Sequence, residues 1–167
     1  MTIAEFDRLP ESEKKELLQM CCGSSAWIKK MLNILPVDNL ADLLEFAEEE
    51  WYECNPADWL EAFQSHIKIG DIDSLKKNKA RNADWPIIEQ QGVLNSPPDV
   101  LEELAKANEM YEETFGYNYI VVATGKSAAM MTEDLLKRLD NDPRDELMIA
   151  ADEQNKITQL RLQKLFS

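Results

Sequence analysis

Histidine is almost missing from this chain, whose 167 residues contain only His66. A polyhistidine metal centre is thereby excluded, and no CxxC or mixed Cys/His ligand spacing exists to build one by other means. Cysteine is scarce as well. Cys21, Cys22 and Cys54 are odd in number and the first two are adjacent, which argues against a disulfide framework and for reduced core thiols. No run approaches the ~18 uninterrupted apolar residues of a membrane span. The segment Met1 to Asp7 has neither a basic n-region nor an apolar h-region, and Leu165-Phe166-Ser167 is not a peroxisomal tripeptide. The expectation is a soluble, unexported, cytoplasmic protein with no membrane partner. Positive charge is also in deficit, since 18 basic residues face 32 acidic ones for a formal charge of −14. That field opposes nucleic acid and anionic lipid. An anionic small-molecule substrate would have to be held by a local cluster of cationic donors.

What the chain does contain is helix punctuation. Thr2 and Glu5 stand in capping-box register, and a second helix is expected from near Pro10 to Gly23. Ser24 or Ser25 caps a helix over Ala26 to Leu35, with Trp27, Ile28, Met31, Leu32 and Leu35 at helical spacing. Asp38 is expected to cap the next helix, which carries Leu40, Leu43, Leu44, Ala47 and Trp51 on one side; Asn55 and Pro56 open another that runs toward His66. Periodicity then breaks down from Ser65 to Asn95. That stretch holds Gly70, the basic run Lys76-Lys77-Asn78-Lys79, and a short helix expected from Trp85-Pro86 to Gly92. Ser96, Pro97 and Gly116 bracket a helix of about five turns, Ser127 and Asn141 another, and Asp142-Pro143 opens a long final helix. Only Tyr117 to Ala123 reads as extended, and one short strand has no partner. The expected fold is an all-α, single-domain helical bundle over 1–167 with one short extended connector, large enough to bury roughly 70% of the surface its unfolded form exposes.

Three features stand out against this background. Thr124-Gly125-Lys126-Ser127 looks like the end of a phosphate-binding loop, but the glycine that motif needs five residues before Gly125 is Ile120. Helix capping is the simpler reading. Arg161 falls in line with Ala150, Gln154, Ile157 and Leu165 on a face that should be buried, so its guanidinium needs a carboxylate, a bound anion or a path to solvent. His66 is expected near the end of a helix and precedes Ile67-Lys68-Ile69-Gly70-Asp71. On its own, a lone histidine is more often a surface or satisfied core residue than a catalyst.

Several strings resemble one family together. They are Cys21 to Met31, His66 to Asp71, Glu89-Gln90-Gln91-Gly92, Phe115 to Ser127, Arg138-Leu139, Asn141-Asp142-Pro143, Glu146-Leu147, and the closing Lys156 to Leu165. In this order they are similar to the decarboxylases that act on 2-oxo-4-hydroxy-4-carboxy-5-ureidoimidazoline (OHCU) on the route from urate to allantoin. The resemblance covers nearly the whole length. It implies a cofactor-free carboxy-lyase and a homodimer. It assigns His66 and Glu89 as catalytic residues, His66 as hydrogen-bond or proton donor and Glu89 as the group that orients His66 or the substrate. Arg161, Gln90 and the backbone of Tyr119, Ile120 and Val121 are the implied substrate-binding groups. Three positions depart from the family's pattern: Ile67 and Pro86 stand where proline and serine are usual, and Lys68 replaces arginine. The competing reading is a helical binding protein that keeps the fold and not the reaction.

Overall fold

The computed structural model describes residues 1–77 and 84–167. Among the described residues it contains eleven helices and no strand: α1 (Ile3–Asp7), α2 (Glu11–Cys21), α3 (Ser25–Ile34), α4 (Leu40–Tyr52), α5 (Pro56–Gln64), α6 (Ile72–Lys77), α7 (Asp84–Glu89), α8 (Gln91–Leu94), α9 (Pro98–Phe115), α10 (Ala128–Arg138) and α11 (Pro143–Leu165). The all-α expectation holds. The chain forms two compact units, one of residues 1–65 with 151–167 and the other of residues 66–150.

Local chemistry sets most helix starts. The Thr2 hydroxyl accepts from the Glu5 N–H while the Glu5 carboxylate accepts from the Thr2 N–H, and Asn55 and Asp58 repeat the exchange at α5. Ser24 and Ser127 cap α3 and α10 through their side chains. α4 departs from expectation. Asn39 is its cap, accepting from the Asp42 N–H at 2.9 Å, and Asp38 lies one residue outside.

The first unit is built around tryptophan. Trp27 and Trp51 are almost wholly buried and Trp59 nearly so. Each indole N–H reaches a backbone carbonyl, of Ala47, Ala151 and Trp51 respectively, at 2.9 to 3.0 Å. Large apolar burial thus comes with no orphaned donor. The three cysteines are buried and form no disulfide, as the sequence suggested. Burial pushes the Cys22 thiol up to about 12, so it stays neutral and packs as a small apolar group.

The second unit packs α9 and α10 around one core that also takes in Ile69, Val93, Tyr119, Val121 and Ala123. Here the sequence reading needs more correction. α5 stops at Gln64, so His66 lies outside any helix. The six-residue α6 was not anticipated. The expected helix over 85–92 is two, α7 and α8, broken at Gln90. Of the basic run, Asn78 and Lys79 lie outside the described residues. The connector needs no correction: Tyr117 to Ala123 lies outside any helix, with no strand beside it among the described residues, as expected, and Tyr119, Ile120 and Val121 within it are buried.

Candidate active site

The loop that begins at His66 carries few backbone bonds of its own. A turn closes it, with the Asp71 N–H on the Lys68 carbonyl at 3.1 Å and the Ile72 N–H on the Gly70 carbonyl at 2.9 Å. Gly70 adopts φ +87, which a residue with a Cβ rarely tolerates. Side chains from elsewhere fix the rest. The Gln90 amide oxygen accepts from the Gly70 N–H at 2.9 Å, and its nitrogen reaches the Ile67 carbonyl at 3.5 Å. Asn108, on the buried face of α9, donates to the Ile69 carbonyl at 2.8 Å. Lys68 pairs with Glu112 at 2.7 Å. His66 itself is half-buried.

Glu89, also half-buried, is the last residue of α7. Gln90 follows at the break, where its N–H still bonds the Pro86 carbonyl at 3.0 Å. Pro86 sits in the first turn of α7, a position whose N–H has no partner within the helix, so proline costs little there. One turn later Gly92 lies hard against the Lys126 carbonyl oxygen, where any Cβ would collide with backbone. The Glu89-to-Gly92 turn is therefore joined to the His66 loop by hydrogen bonds and to the turn after the connector by close packing. Ile69, Val93 and Val121 share one core beneath all three.

The connector is anchored differently. The Arg138 guanidinium donates from Nη1 to the Ile120 carbonyl at 2.8 Å. Arg138 is buried against the Tyr119 ring and paired with the fully buried Glu146, Nε to Oε1 at 2.7 Å and Nη2 to Oε1 at 2.6 Å. Glu146 also accepts from the Tyr111 hydroxyl at 2.5 Å and from Asn141 Nδ2 at 3.0 Å. Burial works against the Arg138 charge, but Glu146 outweighs it and holds the group above its ordinary value. Burial first and Glu146 second raise the Tyr111 phenol, which stays a hydrogen-bond donor. Tyr119 donates to Asp134 at 2.5 Å. The 124–127 stretch that echoed a phosphate loop is a turn, Lys126 N–H on the Ala123 carbonyl at 3.0 Å, followed by the Ser127 cap.

Of the residues singled out from sequence, His66, Glu89, Gln90, Tyr119, Ile120 and Val121 all belong to the second unit. Arg161 belongs to the first. It is half-buried there, with Nη1 donating to the Met20 carbonyl at 3.1 Å, and Gln154 on the same face is fully buried. The sequence reading missed Asn108, Arg138, Glu146 and Tyr111. Asn108 could have been found as a polar residue in helical register with Leu104 and Tyr111. Arg138 and Glu146 lay in quoted motifs without a role.

Comparison with known proteins decides the family. The family model described as OHCU decarboxylase matches residues 7–163. This chain belongs to the OHCU decarboxylase family. It is 39% identical over 153 residues to the uric acid degradation bifunctional protein of Arabidopsis thaliana, an alignment that takes in 89% of this chain. The chain spans 46% of that relative's length. Among solved structures it resembles an OHCU decarboxylase crystallised in the presence of (S)-allantoin, at 36% identity and a TM-score of 0.75, over 89% of this chain and 95% of that one. An (S)-allantoin synthase structure superposes with a TM-score of 0.72 over 98% of this chain and 54% of the other. At 15% identity that second likeness speaks to the fold alone.

Proposed function

We propose that this protein decarboxylates OHCU to (S)-allantoin and carbon dioxide in urate catabolism, without a cofactor, as a cytoplasmic homodimer. The bond from the ring carbon to the carboxylate breaks, carbon dioxide leaves, and the electron pair is delocalised into the ring as an enolate. A proton added to one face then gives the (S) product. Such a reaction asks the protein for placement, for donors where charge develops, and for one proton route.

In this reading His66 donates a hydrogen bond or proton to the hydroxyl-bearing centre and Glu89 orients it. Gln90 is assigned as an amide partner for the ureido or imidazoline nitrogens, besides its two bonds to the loop. Backbone groups of Tyr119, Ile120 and Val121 address the ring. Arg161 is assigned to an anionic portion of the substrate through its planar fork. The observation that best supports the reading is the pair of hydrogen bonds at the Gln90 amide, which accepts from the Gly70 N–H and donates to the Ile67 carbonyl and so couples the Glu89 turn to the His66 loop.

The test generates OHCU in place from urate with urate oxidase and hydroxyisourate hydrolase and follows the product by circular dichroism. Rapid growth of the (S)-allantoin signal is expected, and His66→Asn should slow it ~10²–10⁴-fold with the fold intact. A trace no faster than spontaneous racemic decay would leave the binding-protein reading in its place. Sedimentation of the pure protein tests the dimer.

A further inference from the structure

Buried backbone needs partners, and the connector crosses the second unit without a strand beside it. Its Ile120 carbonyl has Arg138, at 2.8 Å. Among the described residues, neither the Ile120 N–H nor the Val121 N–H bonds a backbone carbonyl. The Ile120 carbonyl and the Val121 N–H belong to the same peptide group, which is planar and trans, so they point in opposite directions and turn together. Whatever fixes one fixes the other.

Arg138 is itself fixed at several points. Glu146 accepts from Nε and stands 2.6 Å from Nη2 as its ion-pair partner, the Tyr119 and Tyr111 rings lie 4.8 and 5.8 Å from its guanidinium carbon, and Asp134 stands 3.6 Å from Nη1. Tyr111 and Asn141 hold Glu146 in turn. A buried ion pair is a weak source of stability, because apolar residues of similar volume often serve as well. Its value here lies in direction. We propose that Arg138 is a positioning residue for the reaction: by holding the Ile120 carbonyl it aims the Val121 N–H, on the far side of the same peptide, at a substrate oxygen on which charge develops. This rests on the decarboxylase reading for its substrate, and on the geometry for the anchor.

The experiment compares the wild type with Arg138→Lys and with the paired replacement Arg138→Met/Glu146→Leu, which removes both charges and leaves an apolar core able to fold. Two quantities are read: kcat and KM in the coupled dichroism assay, and the 15N order parameter of the Val121 amide. The paired variant should keep its cooperative unfolding and lose at least ~10-fold in kcat with KM little changed, as expected for a donor that acts mainly in the transition state. Its Val121 order parameter should fall from the rigid range near ~0.85 toward ~0.6, while the 66–70 loop stays rigid. Arg138→Lys, which can still reach one of its two partners, should lie between. A folded paired variant with wild-type kcat, or with an unchanged Val121 order parameter, overturns the proposal. If the wild type itself gives no (S)-allantoin, the decarboxylase reading fails, and the order parameter alone decides whether Arg138 anchors the connector.

Discussion

The loop from His66 to Gly70 and the connector from Tyr119 to Val121 lie over one core in the same unit, yet side chains of different kinds hold them. Two neutral amides, Gln90 and Asn108, hold the loop, helped by an exposed ion pair at Lys68. A buried arginine and a fully buried glutamate hold the connector. A neutral hydrogen bond contributes about 0.5–1.5 kcal/mol and can be lost piecemeal. A buried charge cannot lose its partner without leaving an uncompensated ion, so that anchor is all or nothing. The loop is thus built to adjust and the connector to stay put.

The largest expected effect breaks the stiff side. Glu146→Leu strands the Arg138 charge, the Tyr111 hydroxyl and the Asn141 amide together. It should cost about 3–5 kcal/mol in urea unfolding. Adding Arg138→Met should restore most of that. A loss under about 1 kcal/mol for the single change would show that the two segments do not differ in kind.

Gly92→Ala comes next and strikes the seam between them. The new Cβ would meet the Lys126 carbonyl, backbone against backbone, with no rotamer to relieve it. A destabilisation of about 1–3 kcal/mol is expected. An alanine variant as stable as the parent would mean that α8 and the turn after the connector can separate freely.

On the loop side, Asn108→Leu removes the donor to the buried Ile69 carbonyl, again for about 1–3 kcal/mol. Turnover should fall with it, because the loop that carries His66 loosens. Unfolding midpoints and (S)-allantoin production measured together check both parts, and a stability loss without any change in rate would detach Asn108 from the site.

The contrast also shows what a sequence makes visible. Caps are local, so Thr2 with Glu5, Asn55 with Asp58, Ser24 and Ser127 could be placed from a four-residue window. At α4 two cap-competent residues stand side by side, and Asn39 was chosen over Asp38 by geometry that the window does not contain. Helices of four to six residues, α6 to α8, complete too few turns to show a period. The family strings located His66, Glu89 and Gln90. They did not say that the Gln90 amide holds the loop, since that depends on a partner 20 residues away. Arg138 and Glu146 are separated by a helix end and a new helix start, so no periodic face unites them.

The smallest expected effect lies at the end of the loop, where only pH is needed to probe it. The Ser74 hydroxyl, at 2.6 Å, and then its N–H, at 3.1 Å, hold the Asp71 carboxyl below its ordinary range. A carboxyl with a depressed folded value contributes stability that is fully present above its unfolded pKa and is lost as pH falls through the lower, folded one. Ser74→Ala should therefore raise the Asp71 titration toward the ordinary aspartate range, as read by the carbon-13 shift of its carboxyl. Above the unfolded pKa the variant should be slightly less stable than the parent, and in acid below the parent's folded value the two should converge. Because Asp71 is only partly buried, salt should shrink the difference further. A gap between parent and variant that widened on acidification would carry the opposite sign and remove Asp71 from the groups that close the loop.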